Sequence, residues 1–549
     1  MPSRRKVSLS IVGSLRAACV VLICWQTAVA DVWQPDLEDG TYKNPIIFAD
    51  YSDPDVIRVG DDFYMTASSF NAVPALPILH SKDLVNWELV NYAVREFPED
   101  FYDIPQHGNG VFAPSLRYHD GWFYIYWGDP DQGIFRVKTR DPRGEWEAPI
   151  RVLRSQGVID PSPLWDDDGK VYLVHAFAAS RSNVNNLLQV IELNEDGSRR
   201  DGPRTIVFNG SEDHPVIEGP KFMKRNGYYY ILAPAGGVAT GWQTVLRSKN
   251  VLGPYEDKIV LAQGDTDING PHQGGLVELE NGQSWFLHFQ ERQPYGRVVH
   301  MQPVEWIDDW PVMGHDPDGD GKGEPYLRHK KPDLGDHPVR SPVVGDEFEG
   351  DALSLAWQWQ AQPRREWHTV KDGKLRLRAV YPIEKPYRQP SAYRNLWEVP
   401  QLLLQKFPAP AFTTETQLDA SNLLAGERGG LVMMGQDYAA LVVERDRRGD
   451  GLTLKYIHCE DARRGTVETV IKAVILPADI GKLRFRAEVE TGGRTVFSWA
   501  SETGEFQPFE KTFQAMQGRW IGAKIGLFVE NKGILGEKGW IDFDYFRIN

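Results

Sequence analysis

A short unit recurs five times along the first 300 or so residues of this chain, and the recurrence constrains the fold more than any single motif. Asp53 opens "DPDVIRVGDDFYM", Ala113 opens "APSLRYHDGWFYIYW", Asp160 opens "DPSPLWDDDGKVYLV" and Glu218 opens "EGPKFMKRNGYYYIL". The fifth copy is "GPHQGGLVELENGQSWFLHF", with His272 near its start. Each copy has a polar opening, an apolar strand, a Gly-containing turn and an aromatic-rich strand. Three copies also carry what reads as an outer hairpin: "SKDLVNW", "TRDPRGEW" and "SKNVLGPY". The third unit has no clear counterpart. Short strands repeated every roughly 50–60 residues are the signature of a β-propeller with about four strands per blade. Five units predict five blades, and no long helical period supports an α/β alternative.

The blade pattern bears on the acids. Asp and Pro both form turns, so Asp53-Pro54-Asp55 reads first as a turn. In a propeller, however, the innermost strand of each blade lines the central channel. The residue that opens this strand faces the axis, and proline is tolerated at a strand start. Asp53, Asp160 and Glu218 are therefore expected to converge from three blades. Acids distant in sequence that meet at one funnel are what a two-carboxylate hydrolase requires. Glu218 before Gly-Pro is hard to explain as a turn residue, whereas Asp55 reads as the local turn acid.

Outside the repeat the pattern changes. Residues 1–30 read as an export signal: Arg4, Arg5 and Lys6, an apolar run, then Ala28-Val29-Ala30 as a cleavage site. An uncleaved anchor is the rival reading. No later stretch reaches the ~18 apolar residues that span a bilayer. The expectation is a periplasmic or extracellular protein, free of the membrane once the signal is cleaved. The chain carries a formal net charge of -15, which argues against a nucleic-acid partner and favours a neutral substrate. Cys19 and Cys24 fall in the signal, so Cys459 alone remains and no internal disulfide is expected.

Residues 31–335 are expected to hold the propeller. "HDPDGDGKGEP" and "KKPDLGDHPVRSP" are rich in Pro, Gly and charge and read as a connection. From 343 to 549 short alternating strands such as "GKLRLRAV", "GLVMMG" and "KLRFRAEV" predict a second domain, a two-sheet β-sandwich. In it, Trp357, Trp359 and Trp367 serve either a glycan-binding face or the core.

Taken together, "NPIIFADYSDPDVIRVGDDFYMTASSF", "GVFAPSLRYHDG", "IDPSPLWDDDGKVYL", "EGPKFMKRNGYYYI", "GPHQGGLVE" and "YGRVVHMQPVEW" resemble glycoside hydrolase family 43. "DEFEGDALSLAWQWQ" and "WIDFDYFRI" resemble the sandwich appended to its β-xylosidase and α-L-arabinofuranosidase branch. The resemblance implies an all-β fold: a five-bladed β-propeller followed by a concanavalin-A-like β-sandwich. It implies that Asp53 is the general base, Glu218 the general acid and Asp160 the carboxylate that orients and tunes the acid. Arg297 and Phe70 match residues that contact the bound sugar. Phe112 stands where the family commonly has Trp; it keeps a stacking face and loses the indole donor. His272 matches a histidine near the propeller axis that in many members binds calcium directly or through water, and a hydrogen-bonded core histidine is the alternative.

The chemistry itself needs no cofactor, and calcium is expected at most as a structural ion. Glu347 and Asp544, near the two ends of the sandwich, are further calcium candidates. Asp316, Asp318 and Asp320 have calcium-loop spacing, but Leu327 stands where an EF-hand needs Glu, which favours a polar inter-domain loop. The implied function is an exported inverting glycosidase. It would release terminal pentose, α-L-arabinofuranose or β-D-xylose, from plant hemicellulose such as arabinoxylan. "GPHQGG" and "DPDGDGKGEP" lean towards arabinofuranoside-removing members. A non-catalytic glycan-binding propeller is the alternative of another class. A fructan hydrolase is a third reading, and its N-terminal Asn-Asp-Pro-Asn-Gly box is absent.

Overall fold

Four antiparallel strands, Asp55–Val59, Asp62–Thr66, Ala75–Ser81 and Glu88–Val94, form the first of five four-stranded sheets. The computed structural model describes residues 33–98, 100–380, 393–449, 451–478, 480–531 and 538–549. The export signal expected at 1–30 lies outside the described residues. Blade 2 runs from Phe112 to Arg154, blade 3 from Val158 to Asn209, blade 4 from Lys221 to Leu261 and blade 5 from His272 to Met313. Each is a simple meander of four sequential strands, the five-bladed propeller that the repeat predicts.

Turn chemistry explains much of this. Asp120-Gly121 and Asn226-Gly227 are two-residue hairpin loops with positive φ at both positions (52° and 75°, 49° and 72°). They match the right-handed twist of the strands they join. "SKDLVNW", "TRDPRGEW" and "SKNVLGPY" occupy the turns between the third and outermost strands of blades 1, 2 and 4. Blade 3 makes the same connection with a different sequence, closed by a Gly197 N–H bond to the Asn194 carbonyl at 2.8 Å, which is why its copy was invisible.

The apolar faces of neighbouring blades pack on each other; Ile78 of blade 1 shares a cluster with Leu116 and Ile125 of blade 2. Polar contacts also bridge blades. Asp55 is not a local turn acid. Its Oδ2 accepts from the Leu116 N–H at 2.8 Å and from Arg117 at 2.7 Å, both on the next blade. Ser162 plays the same part between blades 3 and 4, accepting from the Phe222 N–H at 2.9 Å and from Arg117 at 2.6 Å. The ring closes where Ile47 exchanges backbone bonds with Val299 and Thr41–Lys43 pairs with Arg328–Lys330.

The C-terminal region is a sandwich of a seven-stranded and an eight-stranded antiparallel sheet around one large apolar cluster. Trp357, Trp359 and Trp367 are buried in that cluster, so they are core and not a glycan face. Phe48, Tyr295 and Val298 of the propeller side belong to the same cluster. Val73 and Trp359 exchange backbone hydrogen bonds of 3.1 and 2.6 Å, and the Asn71 side chain donates to the Gln360 carbonyl at 2.9 Å. No helix of the described residues is long and apolar enough to cross a membrane.

Candidate active site

One backbone device recurs at the mouths of the blades. In four of them a residue immediately before a proline has positive φ: Asp53 (53°), Asp160 (56°), Gly219 (55°) and Gly270 (49°). L-residues rarely adopt this region, and Asp is among the few that enter it. Strain of this kind persists only where the surroundings over-determine it, as at functional sites.

For Asp53 the surroundings are dense. Its Oδ2 accepts from the Ser52 hydroxyl at 2.7 Å and the Ser68 hydroxyl at 2.5 Å. Its Oδ1 accepts from Arg297 Nη1 at 3.0 Å, and that nitrogen also donates to Ser52 Oγ at 2.8 Å. The side chain is 5% exposed. Glu218 differs: 24% of its side chain is exposed, and Oε1 lies 3.0 Å from Nε2 of fully buried His272.

Asp160 belongs with Glu218. Its Oδ2 accepts from the Gly219 N–H at 2.8 Å and the Gln273 amide at 3.4 Å. Burial, the Glu218 charge and, more weakly, the Asp53 charge hold the Asp160 carboxyl well above the usual carboxylate range. Buried Lys221 supplies a counter-charge, its Nζ donating to the Pro114 carbonyl at 2.7 Å and Ser115 Oγ at 3.2 Å. Burial lowers its ammonium, with Asp55, Asp160 and Asp53 opposing that shift. The three acids picked out by the repeat thus open blades 1, 3 and 4 within one electrostatic network.

Arg297 forms the side of the site. Its Cζ lies 5.9 Å from the Phe70 ring and 4.8 Å from Phe289, and Phe70 meets Phe112 edge-on at 5.1 Å. The Arg297 Nε has no partner among the described residues. Sequence reasoning missed two residues here. Trp520, from the sandwich, sits 5.9 Å from the Arg297 guanidinium at φ 64° and is 39% exposed. Asp50 holds the two together: Oδ1 accepts from the Arg297 N–H at 2.9 Å and Oδ2 from the Gly522 N–H at 3.0 Å. Asp50 lies three residues before Asp53 in "ADYSDPD", yet nothing local marks it, because its partners are 247 and 472 positions away.

The metal candidates fare differently. At His272 one carboxylate is in reach, and no group of three metal-ligating side chains gathers there among the described residues. Calcium takes roughly six to eight oxygen ligands, so the side-chain carboxylates in reach of His272 do not by themselves complete its shell. Glu347 pairs with Arg547 at 2.6 Å, and Asp544 with Lys374 at 3.2 Å and Gln417 at 2.5 Å. Glu347 is held by a guanidinium and Asp544 by one amide donor and an ion pair, and neither belongs to a cluster of metal-ligating groups among the described residues. Asp316, Asp318 and Asp320 do come within 4.8 Å of one another. However, Asp316 and Asp320 accept the loop's own N–H groups, and Asp320 pairs with Lys322 at 3.2 Å.

A propeller that gathers three carboxylates at one mouth, two of unlike exposure and one beside an arginine, defines a hydrolase of the two-carboxylate glycosidase class. The chain belongs to glycosyl hydrolases family 43, whose profile matches residues 42–311. Residues 345–549 match the beta xylosidase C-terminal concanavalin A-like domain. A beta-xylosidase of Formosa agariphila is 31% identical over 555 residues, 93% of this chain and 90% of that one. A non-reducing end alpha-L-arabinofuranosidase of Bacteroides ovatus is 28% identical over 567 residues, 97% of this chain and 98% of that one. A solved structure, the xylan beta-1,4-xylosidase of Bacillus halodurans, is similar with a TM-score of 0.81 at 26% identity, covering 92% of this chain and 99% of that one. The protein is a glycoside hydrolase.

Proposed function

We propose that this enzyme is an exported, inverting exo-glycosidase that releases a terminal pentose from plant hemicellulose such as arabinoxylan. The observation that carries the reading is the unlike pair at the mouths of blades 1 and 4: Asp53, enclosed and held by Arg297, and Glu218, more exposed and beside Asp160. In this mechanism Asp53 takes a proton from a water, and Glu218 gives one to the leaving oxygen on the opposite face of the sugar. Asp160 positions Glu218 and, by its charge, favours retention of a proton in the pair. Arg297, Phe70 and Phe112 fix the sugar ring. The pentose follows from the relatives' names, which divide between xyloside and arabinofuranoside.

Nitrophenyl β-D-xyloside, nitrophenyl α-L-arabinofuranoside and arabinoxylan, with the released sugars identified, test the substrate. Proton NMR early in the reaction, before mutarotation, tests the stereochemistry. A first product of opposite anomeric configuration is expected; a retained configuration, or a glycosyl ester trapped on Asp53, overturns the role of Asp53 as base. Residues 1–30 act as the export signal in this reading. Recovery of the protein in the periplasm or medium with an N-terminus at Asp31 is the expected result.

Replacing Asp160 with Asn is expected to move the upper limb of the pH profile of kcat/KM to lower pH. The sign follows from the pair: two carboxyls in one site share a proton that neither releases easily while the other is charged. With a neutral amide at 160 the repulsion is gone, so the remaining proton leaves at lower pH. An upper limb that stays in place while activity falls leaves Asp160 with a positioning role alone.

A further inference from the structure

Between the first blade and the sandwich lies a cavity of about 220 Å³. Phe48, Tyr51, Trp87 and Tyr92 give it aromatic walls. It is separate from the candidate active site, since none of Asp53, Asp160, Glu218 and Arg297 lines it. Lys406, the last residue of the strand Leu403–Lys406, does line it. Among the described residues no acceptor and no carboxylate pairs with its ammonium, and the Tyr51 ring stands 5.0 Å from Nζ. Burial holds this ammonium below the ordinary lysine range.

The charge around Lys406 does not balance. Directly across the sheet it pairs with Lys524, which is buried and whose Nζ reaches a neutral acceptor, Gln358 Oε1, at 3.3 Å. Like charges on facing strand positions repel. The carboxylate that acts on both lysines is Asp50. Both of its oxygens are already taken by the Arg297 and Gly522 N–H groups. A further donor is idle: Gln405, buried and also lining the cavity, has an amide nitrogen with no partner, while its oxygen accepts from the Gly345 N–H at 2.9 Å. Lys524 is enclosed with a neutral acceptor alone and Lys406 is half-buried beside it, and an anion relieves two such cations.

We propose that this cavity binds a small monocarboxylate with a flat apolar body, an aryl carboxylate in chemical class. The carboxylate sits at Lys406 and the ring lies among Phe48, Tyr51, Trp87 and Tyr92. The sign of the charge selects an anion, and a lining with few hydrogen-bonding side chains selects a planar apolar body over a hydroxyl-rich sugar. The volume fits one ring: an apolar cavity of about 150 Å³ is enough for benzene.

Benzoate is the probe, and the full-length enzyme is titrated by calorimetry. Saturable binding of one benzoate per chain is expected, with a Kd below about 1 mM. Benzyl alcohol, the uncharged twin, and the Lys406→Met variant should each bind at least about tenfold more weakly. Lys406→Arg, which keeps the charge, should bind within a few-fold of wild type. Saturating xylose or arabinose should leave benzoate binding unchanged, and a crystal grown with benzoate should show it against Lys406. Absence of saturable binding, equal binding by Lys406→Met, or displacement of benzoate by either pentose overturns the proposal. If Lys406→Met does not fold, the comparison with benzyl alcohol and the position of benzoate in the crystal decide the question.

Discussion

Replacing Asp53 with Asn is expected to lower kcat on nitrophenyl pentosides by roughly 10²–10⁴-fold, the usual worth of a positioned general base. The substitution isolates chemistry from structure. Asn is nearly isosteric with Asp and, like it, tolerates the left-handed backbone that position 53 requires at φ 53°. The amide oxygen can still accept from Arg297. The amide nitrogen can donate to the Ser52 and Ser68 hydroxyls, which rotate to accept. What the amide cannot do is take a proton from water. The melting temperature should therefore stay within a few degrees of wild type, since surroundings that remain paired avoid the large penalties of orphaned groups. Steady-state kinetics with a thermal melt on the same sample check this. A stable variant that keeps more than about a tenth of the activity would mean that Asp53 is not the base.

Severing the two domains is expected to have an effect of similar size for a different reason. A propeller ending at residue 335 would expose Phe48, Tyr295 and Val298, which pack into the sandwich cluster. It would also lose the backbone exchange between Val73 and Trp359. An apolar surface uncovered in this way drives association, so the fragment should elute as aggregate on size exclusion. Any soluble fraction should still be defective, because the fragment lacks Trp520 and loses the Gly522 N–H that helps to fix Asp50, and through Asp50 the backbone of Arg297. Displacements of about 1 Å in a positioning residue can cost about 10²-fold in rate. Activity per folded molecule, set against the full chain, measures it. A monomeric, fully active propeller would show that the sandwich is dispensable to the site.

The amino-acid sequence by itself determined the blades and the places where their acids emerge. Strand alternation, Asp-Gly and Asn-Gly turns and the Asp-Pro and Gly-Pro steps at the strand mouths are all local. Neighbouring residues impose them through φ restriction and side-chain period. Five copies of one local pattern have few other ways to bury their faces, so Asp53, Asp160 and Glu218 could be assigned to blade mouths before any coordinates. The tertiary structure decided the rest. Asp55 looked like its neighbour's turn partner and turned out to clamp the next blade through Leu116 and Arg117. Trp359 could have served a glycan face or the core, and its burial makes it core. Asp50 and Trp520 showed no local signal of their own. Asp50 meets its partners only after the ring has closed and the sandwich has docked, across 247 and 472 residues of chain. Convergence over such separations is set by the sum of every blade's twist and packing, which no short stretch of sequence encodes.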